Sequence, residues 1–189
     1  MLFRSQADSI YLRAMYAAGA RGNFDLLGAH AAGFKAPPET DPAVVATTPS
    51  LSNNDPSPVE LRRAYAFRHV EDLRRIMVEQ GDGDRKVAIM EMGWTSDPRA
   101  ESPYRWHSVT EREKGEYLVR AFRLAGSSWP WASLMTAIYI ADPHWNSRDE
   151  QFHWSITMPD GTPRPAYVDR KSTRLNSSHI QKSRMPSSA

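Results

Sequence analysis

The chain has 189 residues, 40% of them hydrophobic, which is enough for a sizeable core. It contains no cysteine, which excludes disulfides and thiolate chemistry. No run of about 18 apolar residues occurs, so nothing reads as a membrane-spanning helix. The formal charge is +2, with Lys and Arg only slightly in excess of Asp and Glu.

In chain order, Ser5 to Ala18 reads as a helix. Ser5 stands as its cap, and Ala7, Tyr11, Met15 and Ala18 share one face. Phe24-Asp25-Leu26-Leu27-Gly28-Ala29-His30 reads as a buried strand ending in His. Residues 31–56 are Pro-rich and too broken for a regular element. Ser57-Pro58-Val59-Glu60 starts a second helix, with Ser57 as cap, Pro58 in the first turn and an apolar stripe that Gly81 stops.

Lys86 to Met92 is a second strand, opening on the turn Gly81-Asp82-Gly83-Asp84. Strict alternation places Val87, Ile89 and Glu91 on one face and Ala88, Met90 and Met92 on the other. Both faces are apolar up to Glu91, which suits a parallel strand buried on both sides. A carboxylate at the end of such a strand is costly without partners or a function.

Another irregular loop follows, and Thr110-Glu111-Arg112-Glu113 is then a capping box for a third helix ending at Gly126. Trp131 to Ile140 reads as a third strand, and residues 141–168 as irregular chain.

Strands alternating with helices imply parallel βα units. The helix-to-strand connections are short and the strand-to-helix connections long. In a (β/α)₈ barrel the long loops would all lie on the C-terminal face and build a site. The fold class is therefore α/β: about three βα units, the C-terminal portion of a TIM (β/α)₈ barrel. An open doubly wound sheet is the runner-up, weakened because no Gly-rich phosphate fingerprint follows any strand. No repeat or linker divides residues 1–168. A complete barrel typically needs about 250 residues, so the chain reads as a fragment in which Met1 is an internal methionine.

Residues 169–189 differ from the rest. Asp169-Arg170-Lys171-Ser172-Thr173-Arg174-Leu175-Asn176-Ser177-Ser178-His179 matches the translation of a common sequencing-library adapter. Ser183 to Ala189 matches the adapter's distal part. The segment is expected to be a non-native tail. It carries five basic residues and one acid, a net of +4, so residues 1–168 carry 2 − 4 = −2. No nucleic-acid affinity follows from the basic pI.

Three strand ends carry chemistry: His30, Glu91 with Trp94, and the region after Ile140 with Asp142, His144 and Trp145. The loops add Phe34, Tyr104, Trp106, Phe152 and Trp154. Aromatic faces beside carboxylates suit a pyranose, which has an apolar face and a polar rim.

Glu91-Met92-Gly93-Trp94 after an apolar strand resembles the nucleophile strand of clan A glycoside hydrolases, retaining enzymes on (β/α)₈ barrels. The segment from Phe24 to His30 resembles the preceding strand of cellulase-like and family 39-like members. Gly161-Thr162-Pro163-Arg164-Pro165-Ala166-Tyr167 resembles the approach to their last barrel helix. The resemblance implies hydrolysis of O-glycosidic bonds, with Glu91 as the catalytic nucleophile. It also implies substrate-binding roles for His30, Trp94, Tyr139, Trp145 and Trp106. Ala31-Ala32-Gly33 stands where these families often have Pro-Tyr-Gly, so the aromatic hydroxyl near the nucleophile is missing or comes from Tyr139 or Tyr104.

In this clan the acid/base sits on the fourth strand, ahead of every strand present here. The fragment alone is therefore expected to be inactive. The alternative is a non-catalytic carbohydrate-binding relative. A metal site is not expected: despite six His residues there is no HExxH pair, and His69 falls on a helix. A Ser/His/Asp hydrolase lacks its G-x-S-x-G elbow. No cofactor, nucleic acid or membrane is implied; the partner is a carbohydrate. Oligomeric state and compartment, secreted or cytoplasmic, stay open.

Overall fold

The computed structural model describes residues 7–167. The cap expected of Ser5 and the tail at 169–189 lie outside the described residues. The elements are α1 (Asp8–Ala17), β1 (Leu26–Ala32), α2 (Pro42–Thr47), α3 (Val59–Arg62), α4 (Val70–Glu79), β2 (Lys86–Gly93), α5 (Glu111–Ser128), β3 (Ala132–Ala137) and α6 (Glu150–Trp154). The protein is α/β, with a parallel three-stranded sheet in the order β1-β2-β3.

One face of the sheet builds the core. Val87, Ile89 and Met92 of β2 are buried with Leu12 and Tyr16 of α1, Leu73, Ile76 and Met77 of α4, and Leu118, Ala121 and Ala125 of α5. Each large side chain buried in this way contributes about 1.5–3 kcal/mol. The opposite face is not covered among the described residues. Leu26, Met90 and Leu134 are 46%, 47% and 46% exposed, so burial on both sides is not what the sheet shows.

The strict alternation expected of β2 also fails. Ala29 is in register with Ile89, but His30 is in register with Glu91. On the other side Met135 pairs with Ile89 and Ala137 with Met92. At Met90-Glu91 β2 therefore carries one extra residue relative to both neighbours, a bulge, and β3 carries a compensating one between Ala132 and Leu134. The Thr136 hydroxyl donates to the carbonyl of Met90. Ile89 and Met92, three apart, consequently share the core face. Glu91 is released from the face of Val87 and Ile89 and turned toward the open end of the strand.

Other boundaries move for local reasons. β1 runs past His30 to Ala32, and Phe24 lies before it, edge-on to Tyr16 with centroids 6.1 Å apart. The helix expected to run from Ser57 to Gly81 is broken. Ala66 is extended, with φ −104° and ψ 140°, and 3-10 turns at Arg63–Tyr65 and Phe67–His69 flank it. The break lets Ala66 and Phe67 both be buried. It also lets Arg63 and His69 reach Asp72, at 2.8 and 3.2 Å. Ser57 does not cap; its own N–H donates to Asp55 at 2.8 Å. The stretch at 31–56 contains α2, started by Pro42 with Asp41 accepting from Ala43 N–H at 2.7 Å. In α5 the capping box is complete, Thr110 and Glu113 bonding reciprocally, but the helix continues through Gly126 to Ser128. β3 stops at Ala137 rather than Ile140, and the stretch after it contains α6.

Candidate active site

The three loops that leave the C-terminal strand ends enclose a cavity of about 230 Å³. This is below the ~300–1,000 Å³ of drug-sized sites, and it suits one ring. Its floor is His30 and Glu91, held side by side by the β1–β2 register. His30 Nδ1 stands 3.4 Å from Glu91 Oε2. One wall comes from Phe34, after β1, and from Tyr104 and His107, after β2. Tyr139, Glu150 and Trp154, all after β3, complete the lining, with the Trp154 ring 5.8 Å from His107 and 6.5 Å from Tyr104.

Several expected site residues stand here, and others stand back. Glu91, His30 and Tyr139 line the cavity. Trp94 does not. It is fully buried, its ring 5.7 Å from Phe67 and 5.5 Å from Tyr117. Its Nε1 donates to the Ala36 carbonyl at 3.0 Å. The expectation that Trp94 faces a ligand is thereby corrected: the residue following Gly93 turns into the helix-packed side. Trp106 stacks on Phe34 at 5.9 Å, and Trp145 lies edge-on to Tyr139 at 5.6 Å, so both support lining rings from behind. Asp142 pairs with His144 at 2.9 Å and lines nothing in the cavity. Phe152 carries the Arg164 guanidinium over its ring at 4.3 Å.

Two lining residues were not singled out by sequence, His107 and Glu150. His107 is 2% exposed and sits among the rings of Phe34, Tyr104, Trp106 and Trp154. Burial in that apolar cage pushes its imidazole down to about 4, so it is neutral at pH 7. Its Nδ1 and the Trp154 Nε1 are buried without a hydrogen-bond partner among the described residues. Glu150 and Tyr104 line the same cavity, and the Tyr104 phenol is pushed up by burial first and then by the nearby Glu150 carboxylate. The Tyr139 phenol is pushed up by burial first, then by the charges of Glu91 and Glu150, so it stays a protonated donor between two carboxylates. The clue to His107 was its place in the aromatic run from Tyr104 to His107. Nothing local distinguished Glu150 from the acids around it.

Buried polar groups lock the walls together. Lys114 of α5 is fully buried. Its Nζ donates to the carbonyls of His153 at 3.0 Å and Ser155 at 2.9 Å, which bracket Trp154. Glu111 lies 3.3 Å from Lys114 and 2.7 Å from Arg164. Asp97, in the loop after β2, is fully buried, bonded to Arg99 and 3.6 Å from His153. Burial alone would raise its pKa, but these donors hold it well below the usual carboxylate range. Among the described residues, no group of three or more His, Cys, Asp or Glu is placed to hold a metal ion.

No protein-family model matches the chain, and no curated protein matches it. Among solved structures, a β-glucuronidase from Ruminococcus gnavus, in complex with an N1-substituted uronic isofagomine, is similar with a TM-score of 0.43 and 16% identity. The match covers 89% of this chain and 30% of that one, so the chain spans less than a third of that structure.

Proposed function

We propose that residues 1–168 are part of a (β/α)₈ barrel glycoside hydrolase of the retaining type, with Glu91 as its nucleophile. The observation that carries this reading is the pairing of His30 and Glu91. They stand 3.4 Å apart at the C-terminal ends of adjacent parallel strands, on the floor of a cavity walled by rings and phenols. The ionised Glu91 carboxylate attacks the anomeric carbon and forms a glycosyl ester as the aglycone oxygen departs with a proton. Water then attacks the same carbon, gives up a proton and frees Glu91. Both proton transfers need a second carboxyl group about 5–5.5 Å from the first. In the barrels this chain resembles, that group stands on the fourth strand, ahead of those present here. Tyr139 and His30 line the cavity with Glu91, and His30 Nδ1 stands 3.4 Å from the attacking carboxylate.

The test is covalent trapping in the protein that carries the whole barrel. A 2-deoxy-2-fluoro glycosyl fluoride should leave its sugar on the peptide containing Glu91. Glu91→Ala should abolish turnover, and azide should restore it with inverted configuration. A label on another residue, or full turnover by Glu91→Ala, removes Glu91 from the role.

A further inference from the structure

We propose that this cavity selects by charge, taking a neutral, hydroxylated sugar ring and rejecting its C6-carboxylate counterpart, with Glu150 as the residue that sets the preference. The inference rests on the reading above that the cavity is a sugar subsite. It adds the class of sugar and a residue that sequence did not reveal.

The charges around the cavity are of one sign. Glu91 and Glu150 both line it, and no Lys or Arg lines it among the described residues. His30, the other imidazole in the lining, faces Glu91 at 3.4 Å. His107 is neutral in its aromatic cage. The two phenols, Tyr104 and Tyr139, are both pushed up and so remain uncharged. An anionic sugar would meet two carboxylates and no cation. Recognition of a carboxylate ordinarily uses the paired donors of an arginine or the point charge of a lysine.

The polar groups present fit hydroxyls instead. A carboxylate only accepts, and its two oxygens can take the protons of neighbouring sugar hydroxyls, a charge-assisted and therefore strong pair of bonds. Glu150 lines the cavity together with the Tyr104 phenol. Neutral imidazole brings one donor and one acceptor, and the indole a donor. His107 Nδ1 and Trp154 Nε1 belong to lining residues and have no partner among the described residues. Both atoms are buried, so the donors and acceptors that a ligand would meet are those of His30, Glu91, Tyr104, Tyr139 and Glu150.

The experiment uses the full 189-residue chain and two matched pairs of ligands. These are 4-nitrophenyl β-glucoside against the β-glucuronide, and 4-nitrophenyl β-galactoside against the β-galacturonide. Within a pair the ligands differ only by CH₂OH against COO⁻. Affinities are read by saturation-transfer NMR titration at pH 7. The neutral member of at least one pair should bind at least tenfold more tightly. Glu150→Gln should reduce that gap to threefold or less, and Glu150→Lys should reverse it. In the unaltered chain, raising the salt from 50 mM to 1 M should narrow the gap, because the discrimination is electrostatic. That reading needs no variant to fold. Equal or tighter binding of the charged member overturns the inference and leaves the sugar-site reading standing, as does a gap indifferent to both salt and Glu150. Failure of all four ligands to bind removes the sugar-site reading and this inference with it.

Discussion

Trp94 lies against Gly33 so closely that a Cβ on residue 33 would stand 1.8 Å from the indole Cε2. Gly33 N–H donates to the Gly93 carbonyl at 2.9 Å, so the two strand ends are tied at the point where the ring crosses. Gly33→Ala should therefore destabilise by about 1–3 kcal/mol, the usual cost of forcing atoms into a packed core. Trp94→Phe removes the atoms that clash. The double variant should lose less than the two single losses combined. Urea unfolding of the four proteins measures this coupling, and simple additivity would show that the ring moves aside freely.

Stability should depend on pH through two histidines with opposite signs. His69 is buried, where desolvation alone would lower its pKa, but its bonds to Asp72 and Asp8 outweigh that and raise it to about 9. A folded pKa above the unfolded value of about 6.5 gives stabilisation that is complete below pH 6.5 and lost as pH rises through 9. His107 is the reverse. Its folded pKa of about 4 gives stabilisation that is complete above pH 6.5 and lost as pH falls toward 4. Lys114, held down to about 8 by burial, adds stability above pH 8 and partly masks the His69 loss. The informative quantity is thus the difference between the unaltered chain and His69→Asn. That difference should shrink between pH 6.5 and 9, and a flat difference would mean that the Asp8 and Asp72 bonds do not hold in solution.

Lys114 should be among the least replaceable residues in the chain. Lys114→Met keeps the length of the side chain but removes a donor from the His153 carbonyl, which still accepts from Ser96, and strands the Ser155 carbonyl among the described residues. It also leaves Glu111 with Arg164 as its remaining cation among the described residues. Breaking a buried ion pair from one side costs about 3–5 kcal/mol. The loss should be accompanied by a change in Trp154 fluorescence, because the two carbonyls that lose this donor bracket that residue. Unaltered emission from the folded variant would show that Trp154 is positioned by other contacts.

Some local signals in the sequence held and others, the Ser57 cap and the stop at Gly126, did not, and relationships between distant segments were mostly not legible. The Thr110–Glu113 capping box needs only four residues, and it is present as expected. The order of the strands, with β2 between its neighbours, follows from apolar content and alternation with helices. The bulge at Met90 is invisible in β2 alone because it exists only in the register with β1 and β3. The direction of Trp94 depends on the missing side chain at Gly33, some sixty residues earlier in sequence. The break at Ala66 depends on Asp72 finding Arg63 and His69 together. Within the cavity, strand position placed His30 and Glu91, whereas Glu150 arrives on α6, in a segment with no strand signal.

The bulge in β2 divides that strand into two parts with separate obligations. Ahead of it, Val87 and Ile89 answer to the helices, and their shapes are constrained by α1, α4 and α5. At it, Glu91 answers only to the cavity. The extra residue takes up the change of face, so the functional end can be altered without re-packing the core, and the core can drift without re-aiming the carboxylate. A strand of strict alternation would bind the two together: any shift that improved one would turn the other toward the wrong side. Substitutions in a library of β2 variants should accordingly fall into two groups, those that change stability and those that change ligand binding, with Met90 as the boundary between them.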